Sequence, residues 1–183
     1  MIKLFIADDH ELFREGLKSL LSREKDIEIV GSASDGLEAV NAVRRLKPEV
    51  VLMDVTMPNM NGIQATAKIC SELPDIAVIV ISMHNDRRFI AEALKAGARG
   101  YVLKESSPEL MLDAIRTVSR NEVFFSPKVC TVLVSDYLRL LGNEEVGRAS
   151  PLSEREMEVL QLLVKGRNGK QVADALSISK NTV

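Results

Sequence analysis

Between Ile2 and Leu112 the chain alternates short runs of β-branched residues with longer amphipathic stretches, a period of about two giving way to one of about 3.6. The short runs predict strands over Ile2–Asp8, Ile27–Ala33, Glu49–Val55, Ile76–Ser82 and Gly100–Lys104. The amphipathic stretches predict helices over Leu12–Leu21, Leu37–Leu46, Ile63–Leu73, Arg87–Ala96 and Glu109–Arg120, closed by breakers such as Lys47-Pro48, Leu73-Pro74 and Ala96-Gly97. Five strand and helix pairs in regular order imply a parallel sheet with helices on both faces. Val50-Val51-Leu52-Met53 and Ile76-Ala-Val-Ile-Val-Ile81 are apolar throughout instead of alternating, as central strands covered on both faces should be.

After Arg120 the pattern becomes helical only. Val129, Val132, Leu133, Tyr137, Leu140 and Leu141 recur at helical spacing behind the start signal Ser126-Pro127, and Gly142 is expected to close this linker helix. Asn143–Ala149 has little apolar pattern and reads as a tether. A second module opens at the capping box Ser153-Glu-Arg-Glu156, in which each side chain satisfies the other's exposed backbone donor. Its helix should run to about Val164, with a shorter one over Lys170–Leu176. The expected division is thus residues 1–120, a linker and tether over 121–149, and a small all-α module over 150–183.

The whole chain has 183 residues, 24 basic against 26 acidic, and is 46% apolar, an ordinary globular composition. By segment the formal charge is −2, −1 and +1, so only the last piece is basic, and barely so. Cys70 and Cys130 fit neither a disulfide framework nor a zinc pattern, and both sit on helical patterns as packing residues. The longest apolar run, Ile76–Ile81, is far too short for a membrane span. A cytoplasmic protein with no membrane partner is expected.

In an open parallel sheet, ligands bind at the carboxyl ends of the strands beside the point where strand order reverses. The first strand ends in Asp8-Asp9, the third in Asp54, the fourth in Ser82 and the fifth in Lys104. If the first and third strands are neighbours, three carboxylates converge on one rim, flanked by a hydroxyl and an ammonium. Two like charges 4 Å apart repel by about 4 kcal/mol at an effective dielectric near 20, so something cationic should offset them. Mg²⁺ suits an all-oxygen site. With the metal screening an incoming phosphoryl group, Asp54 could act as a nucleophile toward phosphorus, while Lys104 neutralises the product and Ser82 donates a hydrogen bond to it.

The pair Asp8-Asp9, the run Asp54-Val-Thr-Met-Pro-Asn-Met-Asn-Gly62, Ser82 and Tyr101-Val-Leu-Lys104 resemble the receiver domain of two-component response regulators. Leu152-Ser-Glu-Arg-Glu-Met-Glu-Val-Leu160, Gly166 and Leu176-Ser-Ile-Ser-Lys-Asn-Thr-Val183 resemble the LuxR-type helix-turn-helix of the NarL/FixJ class. The resemblance implies a flavodoxin-like (βα)5 doubly wound sheet of strand order 2-1-3-4-5, followed by a linker helix and an incomplete helix-turn-helix domain. It further implies that Asp54 accepts a phosphoryl group from a sensor histidine kinase. Asp9, Asp54 and the backbone carbonyl of Thr56 would bind Mg²⁺, with Asp8 helping through water. Ser82 and Lys104 would engage the acyl phosphate, and Tyr101 occupies the aromatic switch position. The output would be a transcription regulator, not an enzyme, acting on promoter DNA, as a homodimer when phosphorylated.

On the last module, Lys165, Arg167, Lys170, Ser179, Lys180, Asn181 and Thr182 are the DNA-contact candidates; for the four cations the alternative is a solvated helix charge. Ser179–Val183 supplies about one turn of recognition helix, so a form cut within that helix and binding its operator weakly is expected. Glu105 follows Lys104 where many receivers have proline, which argues against a cis bond there. Asn168-Gly169 replaces the usual Ser-Asn pair, and Asn can still cap. His10 reads as a cap neighbour; His84, two residues past Ser82, lies where the family tunes phosphoryl lifetime, against a bland alternative. Met53, Met57, Met60 and Met83 read as fillers of core and loop gaps.

Three other readings compete. A haloacid-dehalogenase-type phosphohydrolase would need an aspartate where Thr56 stands, and a flavin carrier would need a hydroxyl-rich phosphate loop where Asp8-Asp9-His10-Glu11 would repel the phosphate. A phosphorylated switch with protein binding as its only output is the third.

Overall fold

The computed structural model describes residues 1–148, with side chains as far as Leu140. The order of elements is β1 (Ile2–Ala7), α1 (Glu11–Leu21), β2 (Ile27–Ala33), α2 (Gly36–Leu46), β3 (Val50–Asp54), α3 (Gly62–Glu72), β4 (Ala77–Ser82), α4 (Arg87–Lys95), β5 (Gly100–Leu103), α5 (Pro108–Ser119), β6 (Phe124–Phe125) and α6 (Pro127–Arg148). All neighbouring strands pair in parallel, in the order β2-β1-β3-β4-β5-β6. The doubly wound order 2-1-3-4-5 is therefore present, with the order of strand addition reversing between β1 and β3. Among the described residues every peptide bond is trans.

Two departures from the sequence expectation stand out. A sixth strand, Phe124–Phe125, pairs with β5, so β5 is not the sheet edge. Two residues are too few to show a period, and the strand exists because Phe124 N–H reaches the Arg99 carbonyl and Ser126 N–H the Tyr101 carbonyl. The second departure is α6, which continues through Gly142 to Arg148. A glycine costs a helix only about 1 kcal/mol relative to alanine, and no proline interrupts before Pro151.

Alternation within the strands divides the core between the faces of the sheet. Leu4, Ile6, Leu52, Ile79, Ile81 and Val102 pack with Leu17 and Leu21 of α1 and Met111 and Ile115 of α5. Phe5, Ala7, Val51, Met53 and Val78 pack with Val40 and Val43 of α2 and Ile69 of α3. Val55, Val80, Tyr101 and Leu103 extend this second face to Ile90 of α4 and Val129 of α6. Every residue of β3 and β4 is buried, as their uninterrupted apolar sequence requires.

Helix starts are fixed by side-chain caps. Asp35 accepts from the N–H groups of Leu37 and Glu38, Asn61 from Gln64, Asp86 from Arg88, and Ser107 from Leu110 with Pro108 behind it. Among α1 to α5 the exception is α1, whose N-cap residue His10 makes no side-chain cap bond. The described residues divide into a compact unit, Met1–Val134, and the start of a second that begins at Ser135. No helix among the described residues is long and apolar enough to cross a membrane.

Candidate functional site

The β1–β3 reversal brings together the residues that end the strands. Asp8 follows β1 and is fully buried, Asp54 closes β3 at 3% exposure, and Ser82 closes β4 at 1%. Lys104 follows β5, tied in place because its N–H donates to the Ser82 carbonyl at 2.8 Å. Its Nζ lies 2.8 Å from Asp54 Oδ2 and 2.8 Å from Asp8 Oδ2, and 4.9 Å from the centre of the Phe13 ring. One ammonium thus holds two buried carboxylates together. Asp9, one residue further, is exposed at the mouth.

The Asp54 loop is shaped by close approach. Asp54 Oδ1 accepts from Thr56 N–H at 3.4 Å, Val55 N–H donates to Ile81, and Gly62 N–H returns to the Val55 carbonyl. A methyl group on Gly62 would overlap the Asp54 carbonyl oxygen, so glycine is what lets α3 start against the phosphoacceptor candidate. Burial raises the Asp54 carboxyl, and the charge of Asp8 adds to this; the Lys104 bond opposes them, leaving it at about 6.

His10 is where the structure departs from the reading of a bland cap neighbour. Its Nδ1 lies 2.7 Å from Asp9 Oδ1, 3.5 Å from Asp8 Oδ1 and 3.9 Å from Asp54 Oδ2. Ligand atoms of Asp8, Asp9, His10 and Asp54 all fall within 4.8 Å of one another. Position alone could have flagged it, because it directly follows the aspartate pair. Arg14, which the sequence pattern does not single out, donates to the Asp8 carbonyl at 2.6 Å.

These residues fit a divalent cation. Asp8 Oδ2 is buried, and although Lys104 Nζ is 2.8 Å away, the contact is not aligned as a hydrogen bond, so this oxygen retains an unsatisfied lone pair. Two further carboxylates face the same space, the oxygen-rich donor set that Mg²⁺ takes.

Beside the acidic cluster, the β4–α4 loop is held by Ser82 and Tyr101. Ser82 Oγ accepts from His84 N–H at 3.0 Å, and Tyr101 Oη donates to the His84 carbonyl at 2.9 Å. Tyr101 is 1% exposed, and burial raises its phenol. The His84 ring stacks on Phe89 with centroids 5.7 Å apart. Met53 and Met57 are core residues, whereas Met83 is 69% exposed and fills no gap. Cys70 and Cys130 are free thiols, each near a backbone carbonyl. Lys165, Arg167, Lys170, Ser179, Lys180, Asn181 and Thr182 lie outside the described residues.

Comparison with known proteins places the chain in a family. Residues 4–116 match the response regulator receiver domain family, and residues 150–183 match the bacterial regulatory proteins of the luxR family. The chain is 38% identical to the transcriptional regulatory protein DegU of Brevibacillus brevis, the alignment covering all of this chain and 83% of that protein. It is 37% identical to the oxygen regulatory protein NreC of Staphylococcus carnosus, covering all of this chain and 86% of that one. A LuxR-family two-component response regulator from an Aurantimonas species superimposes with a TM-score of 0.72 at 30% identity, over 75% of this chain and 99% of that one. A structure of two RcsB dimers bound to two parallel DNAs gives a TM-score of 0.67 at 25% identity, over 99% of this chain and 85% of that one. The chain belongs to the response regulator family, pairing a receiver domain with a LuxR-type DNA-binding segment in the manner of the NarL/FixJ class, and is a transcriptional regulator, not an enzyme.

Proposed function

We propose that Asp54 is the phosphoacceptor of this regulator. The observation that carries the reading is a buried carboxylate at the end of a central strand sharing one lysine with the carboxylate of Asp8. An Asp54 oxygen attacks the phosphorus of a phosphohistidine on a sensor kinase. The Asp54 O–P bond forms as the N–P bond breaks, and the electron pair returns to the departing imidazole, which takes a proton from solvent. Lys104, released from one carboxylate as the acyl phosphate forms, pairs with the phosphoryl oxygens, and Ser82 Oγ turns from the His84 N–H to donate to them.

Asp9, Asp54 and the backbone carbonyl of Thr56 are the proposed Mg²⁺ ligands, with Asp8 one water removed. When bound, Mg²⁺ supplies the positive charge that lets an anionic phosphoryl group approach three carboxylates. Movement of Ser82 loosens the loop whose carbonyl Tyr101 holds, coupling the site to the α4 surface. Lys165, Arg167, Lys170, Ser179, Lys180, Asn181 and Thr182 are the proposed DNA contacts, the active form is a homodimer, and the protein acts in the cytoplasm. The RcsB dimers on DNA support the dimer and the DNA partner.

Incubation with Mg²⁺ and a small phosphodonor should give a hydroxylamine-sensitive phosphate on the wild type and none on Asp54→Asn. Label that persists on the Asn variant would overturn the assignment.

A further inference from the structure

We propose that Asp35 is a positioning residue for the phosphoacceptor site. From the start of α2 it clamps the loop between β3 and α3, and with it the Thr56 carbonyl proposed as a Mg²⁺ ligand. The inference rests on that reading of Asp54 and Thr56, and assigns a task to a residue on the β2–α2 connection, outside the acidic cluster.

The loop of residues 55–61 leaves the strand that ends in Asp54. Its two ends are tied by their own neighbours: Thr56 N–H donates to Asp54 Oδ1 at 3.4 Å, Gly62 N–H to the Val55 carbonyl at 2.9 Å, and Asn61 caps α3. The tip, Pro58 and Asn59, is exposed, and Asn59 takes a φ of 55°, which asparagine tolerates better than most residues. From that tip Asn59 Nδ2 donates to Asp35 Oδ2 at 2.9 Å, across 24 residues of chain. Asp35 Oδ1 meanwhile accepts from the N–H groups of Leu37 at 2.7 Å and Glu38 at 3.2 Å. One carboxylate therefore starts α2 with one oxygen and holds the loop tip with the other. The two backbones also touch here, since a methyl on Gly36 would overlap the Met60 carbonyl oxygen. Burial works against the charge of Asp35, but the bonds from Asn59 and from backbone N–H groups outweigh it and keep its carboxyl below the ordinary range.

A carbonyl ligand points where its peptide plane points. Met57, buried in the core, fixes the loop's position through apolar contacts that have no direction, whereas a hydrogen bond at the tip resists rotation of the plane. Groups that orient metal ligands in this way typically carry 10–100-fold in metal affinity. Two plainer roles for Asp35, helix cap alone and negative charge alone, are separable by substitution. Asp35→Ser keeps a capping oxygen but is too short to reach Asn59. Asn59→Gly removes the same bond from the other side and suits the positive φ. Asp35→Asn removes the charge yet keeps both bonds, because the Asn59 amide can turn its oxygen toward the new NH₂ group.

The test is Mg²⁺ titration of the full chain by calorimetry, with phosphodonor labelling at saturating Mg²⁺ and metal-free melting by circular dichroism. Asp35→Ser and Asn59→Gly should each weaken Mg²⁺ binding by about tenfold, the double variant no further, and Asp35→Asn by less than about twofold. Labelling at saturating Mg²⁺ and the metal-free melting temperature should stay close to wild type in each. Mg²⁺ affinity unchanged in Asp35→Ser overturns the clamp and leaves the acidic site standing. Additive losses in the double variant, an equal loss in Asp35→Asn, or a melting temperature that falls with the affinity overturn it as well, in favour of separate contacts, bare charge or general stability. Absence of any Mg²⁺ binding that Asp54→Ala weakens overturns both readings.

Discussion

Lys104 holds the most consequential single position among the described residues. Its side chain is 5% exposed and faces two carboxylates exposed 4% and 0%. Removing one partner of a buried ion pair strands the other, at a cost of roughly 3–5 kcal/mol. Lys104→Met should therefore lower the stability of the metal-free protein by about that amount in urea unfolding, and added Mg²⁺ should recover part of the loss. Asp54 behaves in the opposite sense. Its carboxyl is raised to about 6 in the fold, so the folded state holds its proton more tightly than the unfolded chain does. That contribution is complete at low pH and disappears as pH rises through about 6. Without metal, Asp54→Asn should then melt at a higher temperature than wild type at neutral pH, with the gap closing below pH 6 and on addition of Mg²⁺. Asp8, Asp9, Asp54, Ser82 and Lys104 were readable from the chain because each is a polar residue ending an apolar strand. His10 was not, because the start of a helix offers a polar side chain an ordinary alternative, and only the fold decides which way the ring turns.

Among the elements, α3 carries the strictest requirement. Its first residue, Gly62, sits where a methyl would overlap the Asp54 carbonyl, while its N–H holds the Val55 carbonyl at 2.9 Å. Gly62→Ala should destabilise the receiver by about 1–3 kcal/mol, the range for an overfilled site, and reduce the rate of phosphodonor labelling. A variant that is destabilised yet labelled at the wild-type rate would separate the helix start from the site. The five long helices and five main strands were legible because each spans several periods of its pattern. β6 was not, since two phenylalanines carry no period and their pairing is decided by carbonyls of β5 and Arg99. The end of α6 was misplaced because Gly142 in a helix costs less than a breaker elsewhere suggests.

For the molecule as a whole, the two matches join a receiver domain to a LuxR-type DNA-binding segment in one chain. If the active form is a homodimer, light scattering should show the mass in solution rising toward twice 20.2 kDa with phosphodonor and Mg²⁺, and unchanged in Asp54→Asn. Equal masses in both would place the switch elsewhere than in assembly. The order of the sheet was foreseeable from regular alternation and family motifs, whereas the division of the described residues inside α6, at Ser135, is a matter of packing that no local pattern records.

The shared lysine also sets a charge count. Asp8, Asp9 and Asp54 against Lys104 leave the rim with two formal negative charges, the amount that one divalent ion cancels. A phosphodonor arriving before the ion meets a repelling surface, and one arriving after it meets a neutral surface. If Asp54 is the phosphoacceptor, formation of its acyl phosphate replaces the carboxylate charge with that of the phosphoryl group, so the rim becomes anionic again around a bound cation. On that reading the electrostatics of four side chains favour the ion first and the phosphoryl group second.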